Sequence, residues 1–241
     1  MRGHFVVGSF QAFVEPNIYA DKSSLVLEWL LQIGMDKSTF SIREVAKDTG
    51  VSLGLVQMVF GYLIMHGYLH AEGIRTAKTF SNKKPQLLLS SWLEHYSIIK
   101  KCKMRTYHTG LQDRAEVMAV LKKSSLRQKT ALALHSAAEA LGCQNTNLST
   151  VELYLLEPPL RPLIEQLLQL EPQERGYEVL LIEPYYKSML YTHLSSQNGA
   201  LLCASPLLTF IDLYHFPLRG REQAEFLAER IASLKRVYRK P

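Results

Sequence analysis

Along residues 41–80 the spacing of apolar side chains passes from helical to helical to alternating, and small polar residues mark each change. Ser41 followed three residues later by Glu44 has the spacing of a capping box, which predicts a helix over 42–49 with Val45 and Ala46 facing inward. Gly50 can adopt the left-handed conformation that ends it, and Ser52 can cap a second helix through its hydroxyl. In that second helix Leu55, Val56, Val59, Phe60, Leu63 and Ile64 recur as pairs four apart, leaving Gln57, Met58, Gly61 and Tyr62 on the outward face. Gly67 closes it. Residues 68–71 and 74–80 then read as two strands around Glu72-Gly73. Upstream, Ser23 or Ser24 can cap a helix over 25–33 that ends at Gly34. Downstream, Pro85 opens a helix over 86–96 with Leu88, Leu89, Trp92, Leu93 and Tyr96 on one broad apolar face. Three helices followed by a hairpin are the outline of a winged helix-turn-helix. The 86–96 helix would pack either onto that unit or onto a second copy of the chain, giving a homodimer suited to paired half-sites.

From about residue 100 the pattern becomes alternating strands and helices. The spacing predicts a helix over 125–141, a strand over 151–156, a helix over 160–170 opened by Pro158-Pro159, and a strand over 177–182. A short strand over 200–204 feeds Ser205-Pro206, a cap with proline at the first helical position, and a helix over 207–214. A last helix over 221–238 places acids early and bases late, as the helix dipole favours. The fold class expected is α+β, with an N-terminal winged helix-turn-helix domain over 1–98 and a C-terminal α/β domain with a small central sheet over 99–241.

Charge adds a direction to this picture. The chain of 241 residues carries a net charge of +6, and the excess sits in the middle: Lys100, Lys101, Lys103, Arg105, Arg114, Lys122, Lys123, Arg127 and Lys129 face only Glu94, Asp113 and Glu116 over residues 86–135. Such a segment directly after a helix-turn-helix can track a phosphate backbone; its alternative is a solvated face. The outward face of the second helix has no Lys or Arg, so base reading would fall to Ser52 and Gln57, the latter suited to a bidentate pair with adenine. Phosphate contacts would come from Arg43 and Lys47 on the first helix, from Arg75, Lys78, Lys83 and Lys84 on or after the hairpin, and from Lys100, Lys101 and Lys103. The alternative is a unit that organises a protein complex or a ligand-responsive regulator with its charges solvated.

Other chemistries find little support. Cys102, Cys143 and Cys203 have neither disulfide nor zinc spacing, and Gly67 interrupts the only close histidine pair, His66 and His70, so no metal is expected. No phosphate-binding glycine loop, nucleophile elbow or zincin motif occurs, so no catalytic residues, cofactor or enzymatic activity is expected. In PLRGREQAE, Arg219, Arg221 and Glu222 suit either an anion at a helix start or local ion pairs. The first residues, MRGHFVVGSFQAF, lack a sustained apolar run, so neither a leader nor a membrane span is expected, and the cytoplasm is the expected location.

Several later segments, TALALHSAAEALG at 130–142, VELYLL at 151–156 and above all ASPLLTFIDLYHFPLRGREQAEFL at 204–227, resemble the AbiE-type antitoxins of type IV toxin-antitoxin systems. The N-terminal unit and WLEHY at 92–96 stand in the same order as in that family. The resemblance implies a two-domain bacterial regulator whose winged unit binds promoter DNA as an autorepressor, with Ser52, Gln57, Arg75 and Lys78 as DNA contacts. It also implies a C-terminal domain that counters a partner toxin of the nucleotidyltransferase class. The match is by element. It departs from the family in the residues that precede the first helix and in the uncharged second helix.

Overall fold

The computed structural model describes residues 15–74, 77–145, 147, 149–192, 194 and 201–240. Its first half is helical: α1 (Asp21–Gln32), α2 (Ile42–Thr49), α3 (Leu53–Met65), an antiparallel hairpin of β1 (Leu69–Glu72) and β2 (Thr79–Asn82), and α4 (Pro85–His95). α1 begins earlier than the serines predict. Its N-cap is Ala20, and Ser24 is buried, with its hydroxyl donating to the Asp21 carbonyl instead of capping. The hairpin has a longer turn than Glu72-Gly73 alone suggests, because the second strand starts at Thr79.

The second half is mixed. α5 (Ile98–Lys101) leads into β3 (Lys103–Thr109), α6 (Arg114–Lys123), β4 (Thr130–Leu132), α7 (Leu134–Ala140), β5 (Val151–Leu155) and α8 (Arg161–Leu167). β6 (Leu170–Pro172), β7 (Val179–Glu183), α9 (Lys187–Thr192), β8 (Leu202–Cys203), α10 (Pro206–Tyr214), α11 (Gly220–Arg230) and α12 (Ala232–Val237) follow. The strands form one six-stranded sheet in the order β6-β3-β7-β5-β4-β8, parallel at β5–β7 and β4–β8 and antiparallel elsewhere. All five residues of β5 are buried, which requires cover on both faces of the sheet.

Three sequence expectations change here. The run over 125–141 is not one helix: Thr130–Leu132 is a fully buried strand paired on both sides, and Leu134, at φ 47, turns the chain into α7. A short apolar run reads equally as buried strand or buried helix, and pairing with β5 and β8 decided it. The basic segment contains β3, exposed at Lys103, Arg105 and His108 and buried at Tyr107 and Thr109, so its burial follows no clean alternation that the sequence could have shown. The last helix divides at Ile231, whose ψ of 114 is extended.

One apolar core crosses the expected boundary at residue 98, joining Val26, Phe60 and Trp92 to Leu153, Ile182 and Phe210. The Trp92 indole N–H donates to the Tyr186 hydroxyl at 2.7 Å, which donates to the Tyr19 carbonyl at 3.0 Å. Asp21 accepts from both the backbone and the hydroxyl of Ser188, each at 2.8 Å. Asp212, on α10, is 1% exposed and accepts from the Tyr96 hydroxyl at 2.6 Å and from the Tyr154 hydroxyl. Tyr96 lies just past α4 and Tyr154 on β5, so this carboxyl ties the first half to the sheet. Burial pushes its pKa up from 3.8 to about 7, against the pull of the two tyrosine hydrogen bonds.

The folded chain therefore holds a proton on Asp212 that the unfolded chain loses near pH 4. Stability from this group is complete below that pH and is lost as pH rises through about 7. Denaturation of wild type and Asp212→Asn across this range should show the wild type losing ground steadily to the variant, with no further divergence above it. Parallel pH profiles would refute the shift.

Candidate nucleic-acid interface

Residues 41–82 build their surface from local rules. The Ser41 hydroxyl oxygen accepts from the Glu44 backbone N–H at 3.2 Å, the Glu44 carboxylate accepts from the Ser41 N–H at 3.3 Å, and Lys37 holds the same carboxylate at 2.7 Å. The predicted capping box is present. Gly50 takes φ 69 and turns the chain into α3, where Ser52 accepts from the Leu55 N–H at 3.2 Å. Among the described residues the Ser52 O–H has no acceptor and can donate.

The inner side of α3 is held by a column of rings. Phe60 meets Phe80 of the hairpin at 4.8 Å and Phe40 at 5.9 Å, and Phe40 meets Trp29 of α1 at 5.1 Å, all near edge-on. Phe40 and Phe80 also exchange backbone hydrogen bonds at 2.9 Å, which seats the hairpin against the helices. Gly73 turns the hairpin at φ 82, where a Cβ would meet the Ala77 carbonyl oxygen at 2.6 Å.

The outer side is free of charge from Leu53 to Met65. Val56, Val59, Phe60 and Leu63 are buried, whereas Leu53 and Met65 are 51% and 58% exposed. Gln57 is exposed and its amide has no hydrogen-bond partner among the described residues. Two grooves flank this face. One of about 720 Å³ brings together Arg43 of α2, Leu53, Gln57, Gly61 and Ile64 of α3, and Lys78 beside β2. The other, about 490 Å³, lies along Gly54, Met58, Tyr62 and Met65 and reaches Pro16.

Among the described residues no ion pair engages Arg43, Lys47, Lys78, Lys83 or Lys84; Lys78 instead lies 5.7 Å from the Phe80 ring centroid. Elsewhere Arg161, Arg219, Arg221 and Lys240 are each held by a glutamate, while Arg105, Lys122 and Arg127 also have no ion pair among the described residues. The Arg219–Glu222 contact, at 2.6 Å, gives the local ion-pair reading of PLRGREQAE its geometry. An uncharged helix face bordered by unpaired cations can accept a polyanion along its rim and neutral, flat groups at its centre.

Of the candidate residues, the structure brings Arg43, Gln57 and Lys78 to one groove and leaves Lys47, Lys83 and Lys84 exposed on α2 and after β2. Arg75 lies outside the described residues. Lys100 and Lys101 belong to α5 and Lys103 to β3; Lys101 lies 5.5 Å from the Tyr185 ring centroid and Lys103 approaches Glu183 at 4.0 Å. The basic segment is not one continuous tract. Arg114 is half-buried against the Thr150 carbonyl and Glu139, and Lys129 pairs with Glu157 at the surface. Leu53 and Gly54 join the site without having been singled out in the sequence; their place in the first turn after Ser52 was the available signal.

Comparison with family models, with curated proteins and with solved structures finds no match for this chain. The described residues contain no group of three or more His, Cys, Asp or Glu side chains that could hold a metal ion, and no helix long and apolar enough to cross a membrane.

The position of α2 and α3 rests on their caps. Ser41→Ala should lower stability by about 1 kcal/mol, read as a lower denaturant midpoint at unchanged slope. A midpoint equal to wild type would show that the Glu44–Lys37 pair holds the helix start without the cap.

Proposed function

We propose that the chain is a DNA-binding transcriptional regulator whose residues 41–82 act as a winged helix-turn-helix, with α3 as the groove helix and the β1–β2 hairpin as the wing. The observation that carries this reading is the set of unpaired cations, Arg43, Lys47, Lys78, Lys83 and Lys84, around a helix face that is itself uncharged. Phosphates attract the rim, and base edges meet the helix. Lys100, Lys101 and Lys103 extend the same electrostatic attraction on α5 and β3.

The likeness of residues 130–142, 151–156 and 204–227 to AbiE-type antitoxins supports a more specific role. In it the protein represses its own promoter in the cytoplasm, as a homodimer on paired half-sites, and its second half counters a nucleotidyltransferase-type toxin. A protein-interaction or ligand-responsive regulator is the second reading. It is favoured by a groove of about 510 Å³ between α6 and α7, lined by Arg114, Met118, Leu132 and Glu139, in a half that shares its core with the helical unit.

Binding of the intact protein to the duplex upstream of its own gene should weaken steeply with salt. Lys78→Ala or Lys83→Ala should each reduce the slope of log affinity against log salt by about one, the change expected for one lost phosphate contact. Absence of binding at low salt would overturn the DNA reading and favour the interaction reading.

A further inference from the structure

The exposed ridge of α3 has an unusual composition for a surface. Gly54, Gln57 and Gly61 succeed one another at spacings of three and four, so they stack along one side of the helix. At both glycines a Cβ would meet nothing within 4 Å, so neither is small because the fold is crowded there. Neither has the positive φ that requires glycine. Gly61 stands in the helix interior, where glycine is a poorer choice than alanine, and Gly54 in the first turn, where the fold likewise leaves room for a Cβ. What the two glycines do provide is a bare backbone on each side of the only side-chain amide on the helix. An approaching surface can come closer to the axis there than at any residue with a Cβ.

Around this ridge the exposed side chains are apolar: Leu53 on one flank, Met58 and Met65 on the other. Beyond them stand the unpaired cations, Arg43 and Lys78 on the rim of the larger groove. The charge arrangement selects a polyanion, and the uncharged centre selects the part of it that carries no charge. In duplex DNA that part is the floor of the major groove, which admits an α-helix. The only apolar group on that floor is the thymine methyl, and the base edge that pairs with a carboxamide in two hydrogen bonds is adenine's.

We infer that α3 reads A·T base pairs in the major groove, with Gln57 pairing to adenine, Leu53 and Met58 covering thymine methyl groups, and Gly54 and Gly61 letting the helix seat deeply enough to do both. This rests on the DNA-binding reading above and names what is read. Specificity then comes from the Gln57 pair and the methyl contacts, while the salt-dependent part of the affinity comes from the rim.

The test uses the intact protein and the segment of its upstream duplex that it protects from cleavage, resynthesised with deoxyuridine for thymidine. This change removes only the methyl groups. Affinity should fall by about fourfold for each methyl covered, with the salt slope unchanged. Gly61→Ala should leave thermal stability equal or higher, yet bring binding of the protected duplex at least tenfold closer to that of a random duplex. Gln57→Ala should relax the preference at one A·T pair by a similar factor. If the uracil duplex binds as tightly as the thymine duplex, or if Gly61→Ala keeps full discrimination, the inference fails while DNA binding stands. A wild-type dimer that Gly61→Ala dissociates, with discrimination unaltered, would assign the face to a second copy and overturn it as well. Failure to bind any duplex at low salt would instead sink the DNA-binding reading beneath it.

Discussion

The seating of Phe60 between Phe40 and Phe80 is the contact on which the exposed surface of the first half depends. Phe60 is 1% exposed and belongs to the stripe formed with Val56, Val59 and Leu63. Once that stripe is buried, helical geometry leaves Gly54, Gln57 and Gly61 no choice but to face outward. The same ring touches the hairpin through Phe80, so the orientation of α3 and the position of Lys78 are settled by one packing event. Loss of ring packing at this point would disturb the face and its cationic rim together.

The second constraint is the seam between the halves. Tyr96, Tyr154 and Asp212 meet where the end of α4, the centre of the sheet and α10 converge, and the carboxyl is out of reach of water. A buried carboxyl accepting two hydroxyl hydrogens is directional in a way that apolar contact is not. It therefore specifies how the helical unit sits on the sheet, while Trp92, Tyr186 and the surrounding leucines supply the burial. Because the core is continuous, a change of packing in the α/β half has a physical route to the helical unit.

Charge is sorted by the fold. Some cations of the sheet half, among them Arg114, Lys129 and Arg161, are taken up by neighbouring glutamates or carbonyls. Arg43, Lys47, Lys78, Lys83 and Lys84 have no carboxylate partner among the described residues, and cations without such partners keep their field available to a ligand. Net charge alone does not reveal this, since even in the most basic stretch of the chain Arg114 and Lys129 are taken up by Glu139 and Glu157.

Local patterns carried much of this protein's first half. Ser41, Glu44, Gly50 and Ser52 specified two helices and the turn between them, because caps and left-handed glycines act over three or four residues and need no distant partner. Ser205-Pro206 marked the start of α10 for the same reason. The sequence by itself also determined that α3 has a buried stripe and an uncharged outer face. The tertiary structure alone decided that Thr130–Leu132 is a strand and that residues 103–109 join the sheet, since both depend on partners tens of residues away. It alone decided which lysines and arginines are paired and which are free, and that Asp212 lies in the seam. Helix caps are written in adjacent residues, whereas strand pairing, ion pairing and burial are properties of chain segments brought together from a distance.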